Sequence, residues 1–90
     1  MTVQVEVVSA EESVWAGQAK EVIARSVEGD IGIMGGHTPV LAILGEGDVE
    51  LLGDNGTRVG KFRVDGGFLS VENDQVLVVV EHVIGAGQPE

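Results

Sequence analysis

The chain has ninety residues, fifteen acids against five bases for a formal net charge of −10, and no cysteine. That length fits one small domain, and that charge repels nucleic acid and anionic lipid headgroups. Lacking cysteine, it has no disulfide staple and no thiolate metal site, which favours an intracellular setting. At 43% apolar residues and a mean hydropathy of +0.23 it is too hydrophobic to stay disordered. The longest apolar run is about five residues, too short to span or insert into a bilayer, and the N-terminus has no signal-peptide pattern.

From the N-terminus, Val3, Val5 and Val7 alternate with Gln4 and Glu6, the period of a strand with one wet face. Residues 21–27 read the same way, less cleanly, and lead to the turn pair Glu28-Gly29. Residues 28–39, E-G-D-I-G-I-M-G-G-H-T-P, then gather four glycines, His37 and Pro39, a composition that serves backbone shape. Residues 40–44 (V-L-A-I-L) are apolar at every position. Gly45-Glu46-Gly47 predicts a reversal, as do Gly53-Asp54-Asn55-Gly56, Asp65-Gly66-Gly67 and Glu72-Asn73-Asp74. Between them Phe62 and Val64 alternate with Lys61 and Arg63, and residues 76–80 (V-L-V-V-V) are again wholly apolar.

No segment carries a capped apolar stripe of helical period. The pattern predicts an all-β domain over residues 1–84, about ten strands in an antiparallel sandwich or flattened barrel, with 85–90 as a flexible tail. In such a fold each sheet has one inner face. Strands 40–44 and 76–80 must therefore have their second face covered by a loop or layer crossing, or leave it exposed as a docking patch.

Chemistry is hard to find. Gly60-Lys61 follows Gly56 with the wrong spacing for a phosphate loop, and Phe62 stands where a magnesium-binding hydroxyl belongs. Gly45-Glu46-Gly47 lacks the third glycine of a dinucleotide site. Ser9, Ser13, Ser26 and Ser70 have no nucleophile elbow. Asp30 with His37 gives at most two metal ligands. Catalytic, metal and cofactor sites are accordingly expected to be none. His37 reads either as a turn cap or as a docking residue, and Asp30 either as an exposed hairpin acid or as a docking acid. A small-ligand pocket beside Gly35-Gly36-His37 is the alternative to macromolecular docking.

Three stretches together resemble the epsilon subunit of rotary F-type ATP synthases. Val7-Val8-Ser9-Ala10-Glu11 with Trp15 and Gly17 is similar to that family's first hairpin. Residues 28–41 resemble its E-G-[ED]-[LI]-G-I-x-P-G-H-x-P-L-L signature, with Gly35 where proline is usual. Gly66-Gly67-Phe68-Leu69-Ser70-Val71 and residues 76–80 are similar to its G-G-[FI]-L-x-V hairpin. The resemblance implies a ten-stranded sandwich at the foot of the rotor. It implies the gamma subunit and the polar loops of the c ring as partners, at the cytoplasmic face of a bacterial plasma membrane. By position it implies ring contacts at Glu28, Asp30 and His37 and gamma contacts at Ser9 and Val78. The family's C-terminal helical hairpin is not matched here, so its braking and ATP-binding roles are not carried over.

Overall fold

A computed structural model describes residues 2–36 and 38–87, except for the side chains of Ala86 and Gly87. These residues form nine strands and no helix: β1 Val3–Val8, β2 Ser13–Ala19, β3 Glu21–Ser26, β4 Gly29–Met34, β5 Val40–Leu52, β6 Arg58–Val64, β7 Gly67–Glu72, β8 Gln75–Val80 and β9 Val83–Gly87. They curl into two layers. The first runs β2-β1-β8-β7 and ends on the first half of β5; the second runs β4-β3, the second half of β5, β6 and β9. Strand β5 belongs to both layers, pairing β7 through residues 40–44 and β6 through residues 47–52.

That shared strand corrects the reading of Gly45-Glu46-Gly47. The chain bends there and does not reverse. Ala24 pairs with Val49 but Ser26 with Leu44, so residues 45–48 bulge out opposite Arg25 alone. A side chain at Gly47 would lie 2.9 Å from Arg25 Cβ. Glycine here permits a close approach within a bulge, where a turn was expected. The other expected turns form. Asn73 (φ 52°) and Asp74 (φ 60°) make a two-residue reversal between β7 and β8, while Gly56 N–H donates to the Gly53 carbonyl at 3.0 Å between β5 and β6.

Alternation in β1 aims Val3, Val5 and Val7 inward. They meet Leu69, Val71, Val76, Val78 and Val80 of the same layer and Val22, Val49, Leu51 and Val64 of the other in one core. Ten of the seventeen buried apolar side chains among the described residues are valine. Their short branched side chains suit a thin interlayer space and the pleated surface. Trp15 closes one side of the sandwich. Its ring lies across Gly17 and reaches Gly60 of β6, where an added Cβ would stand 3.4 Å from the indole nitrogen.

Two further differences concern pairing. β1 and β8 run parallel, from Gln4↔Gln75 to Val8↔Val79, within an otherwise antiparallel set. Gly85, expected in the tail, pairs with Arg63 in β9, and the backbone of Ala86 and Gly87 continues that pairing with Phe62 and Lys61. Unpaired N–H and C=O groups along the β6 edge give this glycine-rich segment a ladder that its own propensity would not create.

Candidate docking surfaces

The outer face of the first layer is built by register. Val8 pairs Val79, Val79 pairs Phe68 and Phe68 pairs Ile43, which sets four apolar side chains in one row across four strands. The next row reads Ala16, Glu6, Leu77, Ser70 and Leu41. One step further the row is polar, with Gln18, Gln4, Gln75 and Glu72. Leu41 is 65% exposed and Ile43 55%, with Phe68 and Leu77 each at 37%. Among the described residues nothing covers the second face of residues 40–44 or of β8, and these strands form an exposed apolar surface.

This geometry moves one expected contact. Val78 is 0% exposed, its side chain in the core, so it offers a partner nothing. Leu77 and Val79, on either side of it, carry the outward face. Ser9 is half-buried and shapes the β1–β2 turn, where its N–H donates to the Glu12 carbonyl at 2.9 Å. Its hydroxyl accepts from Glu11 N–H at 3.4 Å.

A second surface is the tip of the β3–β4 hairpin. The Ser26 hydroxyl donates to the Gly29 carbonyl at 2.6 Å and accepts from Glu28 N–H at 3.1 Å. Gly29 takes φ 127°. This holds Glu28 outward on a pre-shaped turn. Asp30 stands in another condition, because it forms an ion pair with its cross-strand partner Arg25. Gly35 and Gly36 lie at the other end of β4, and Gly36 N–H donates to the Asp74 carboxylate at 2.8 Å. Six residues of strand separate the two ends, about 20 Å. Glu28 and the glycine loop are therefore not one cluster, and His37 lies outside the described residues.

Charge is partitioned between faces. On the outer face of the second layer Arg25 pairs Asp30, Arg58 pairs Glu50, Lys61 pairs Asp48, and Arg63 pairs both Asp48 and Glu46. Four of the five bases and four of the fifteen acids neutralise each other there, so eleven acids and Lys20 carry the net charge of −10. At the edge of the apolar rows, Asp65 holds the β8–β9 turn. Its carboxylate accepts from His82 N–H and meets His82 Nδ1, both at 2.8 Å. That hydrogen bond holds Asp65 below the usual carboxylate range and raises His82 above its ordinary value. Among the described residues no three His, Cys, Asp or Glu side chains are placed to bind a metal.

Residues 2–86 match the family model of the beta-sandwich domain of the ATP synthase delta/epsilon chain. The chain belongs to this family. Among curated proteins it is similar to the ATP synthase epsilon chain of Micrococcus luteus, 49% identical over 74 residues covering 82% of this chain and 80% of that one. It is also similar to that of Frankia casuarinae, 38% identical over 81 residues covering 90% and 94%. Its fold matches a chain in the mitochondrial ATP synthase of Euglena gracilis solved with its OSCP, F1 and c-ring parts, with a TM-score of 0.81. That match is 20% identical and covers 98% of this chain and 53% of that one.

Leu41, Ile43, Phe68 and Leu77 were not singled out from sequence. The unbroken apolar runs marked two of the strands, but which side chains face outward depends on register, and Phe68 enters only through its pairing with Val79 and Ile43.

Proposed function

We propose that this chain is a non-catalytic rotor subunit of the proton-translocating F-type ATP synthase. In this reading it docks the gamma subunit onto the c ring and so couples rotation to ATP synthesis, at the cytoplasmic face of a bacterial plasma membrane. The observation that carries the gamma contact is the row Val8, Val79, Phe68 and Ile43 with Leu41 and Leu77 beside it. A contiguous apolar face of this kind is what a permanent interface buries. Ser9 lies at the turn that borders the row, and Leu77 and Val79 take over the role expected of Val78. Ring docking falls to Glu28, the exposed acid on a rigid turn, with Asp30 and His37 in support.

Several features support this reading over a small-ligand site. The groove beside Glu28 measures 280 Å³, below the usual range for metabolite pockets, and a 620 Å³ depression next to Phe68 is part of the apolar face itself. The test is titration of purified gamma subunit against the chain and against Phe68→Glu. We expect tight binding by the first and at least thirtyfold weaker binding by the second, the loss typical of a central anchor. Equal affinity of both for gamma would refute the assignment of this face.

A further inference from the structure

The two lateral openings of the sandwich are finished differently. Trp15 fills the opening between β2 and β6. On the opposite side, between β4 and the first half of β5, no aromatic side chain among the described residues plays that part, and a 280 Å³ groove remains, with Leu41 and Ile43 at the edge of the apolar face forming one wall. Ile31 is half-buried in its floor, and Val27, 66% exposed, stands at its rim beside Glu28. The groove is thus apolar inside and carries one uncompensated acid at its mouth. Among the described residues no cation competes for that acid: Arg25 is held by Asp30, Arg58, Lys61 and Arg63 lie in the ion-pair ladder, and Lys20 is at the far end of β3.

We propose that this groove is the second half of the ring-docking site. It seats an apolar side chain carried by the same ring loop whose basic residue pairs with Glu28. The inference rests on the reading that Glu28 faces the ring, and it adds what the ring loop must contain. Complementary charge brings the loop to the turn, and the groove then fixes its register. A volume of 280 Å³ suits one or two side chains and is too small for a helix. The Ser26 hydrogen bonds hold Val27 and Glu28 in place before contact, which lowers the ordering cost of binding.

The probe is detergent-solubilised c ring of the same ATP synthase, titrated with the chain and with Val27→Thr, Val27→Asp and Glu28→Gln. Val27 is at an exposed turn, so its variants leave the core intact, and unchanged gamma affinity reports that they have. We expect about a threefold loss for Val27→Thr, little affected by salt, and about a tenfold loss for Val27→Asp. Glu28→Gln should lose affinity chiefly at low salt. Weakening by Glu28→Gln with no effect of either Val27 variant overturns the groove and leaves the ring reading standing. No effect of any variant overturns both. Loss of gamma affinity in the Val27 variants reassigns the groove to the other partner and refutes the proposal.

Discussion

Gly67 opens β7 at φ 145°, and a Cβ placed there would lie 1.9 Å from the Val79 carbonyl oxygen and 2.8 Å from Val80 Cα. Both are backbone atoms of the paired strand β8, so no rotamer change relieves the clash. Gly67→Ala therefore carries two costs. The conformation itself costs an L-residue about 1–3 kcal/mol, and pushing β8 away costs a further 1–3 kcal/mol or so in overpacking and lost hydrogen bonds. A loss of about 4 kcal/mol is a large part of the roughly 5–15 kcal/mol that holds a domain folded. Two other glycines separate the terms. Gly29 has φ 127° and open space, so Gly29→Ala should lose only about 1–2 kcal/mol. At Gly45 a Cβ meets only Val27 Cγ1 at 3.9 Å with no positive φ, so Gly45→Ala should fall within about 0.5 kcal/mol of the parent. Equilibrium urea unfolding reads all three, with the Gly67→Ala midpoint expected about 2–3 M below the parent. A Gly67→Ala variant within about 1 kcal/mol of Gly29→Ala would show that β8 yields freely and that the close approach is not structural.

Other substitutions probe the remaining elements. Trp15→Ala removes the plug over Gly17 and Gly60 and should cost about 2–3 kcal/mol in the same assay, less than a fully buried aromatic. Glu28→Lys should abolish binding to isolated c ring without moving the unfolding midpoint by more than about 0.5 kcal/mol. Asp30→Lys is a poorer probe of docking, because it strands Arg25 beside a second cation; it should lower stability as well as ring affinity. The Asp65–His82 pair predicts a pH profile. His82 is raised above 6.5 by its hydrogen bond to Asp65, so its contribution is complete below 6.5 and fades as pH rises through the raised value. Asp65 is lowered below 3.8, so its share is present above 3.8 and is lost as pH falls through the lowered value. Urea midpoints should thus decline on the alkaline side in the parent and stay flatter in His82→Gln, and parallel profiles would remove the pair from the account.

How far the sequence carries depends on whether a feature is local. Alternation at Val3, Val5 and Val7 is local, and so is the Asn73-Asp74 reversal, because each is written in adjacent residues. The parallel pairing of β1 with β8 joins residues some seventy positions apart, and no short window contains it. Gly45 and Gly47 show why turn residues mislead. The same lack of a side chain permits a reversal or a close approach to Arg25, and only the strand on the other side decides. Val78 shows the matching limit for faces. In an all-apolar run the inward and outward positions have the same chemistry, so a one-residue slip in register changes a core valine into a contact. For the hairpin tip, composition marked Glu28 and Asp30 as equals, and only the cross-strand position of Arg25 separates them.

The charge partition orients the domain. An exposed ion pair adds little stability, so the ladder of Arg25, Asp30, Glu46, Asp48, Glu50, Arg58, Lys61 and Arg63 is better understood by what it removes from the rest of the surface. With those bases held on the second layer, Glu6 stands within the apolar rows and Asp65, Glu81 and Glu11 near their end, with Lys20 the one base outside the ladder. A partner for that face must then combine an apolar strip with a basic border, and an acidic border would be repelled. The ladder face meets neither condition. It is neutral and already paired, so covering it would desolvate five ion pairs for no new contact. On the proposed reading, then, the first-layer face is the one a partner would bury and the hairpin tip with its groove the one that would dock, with the ladder face left to water.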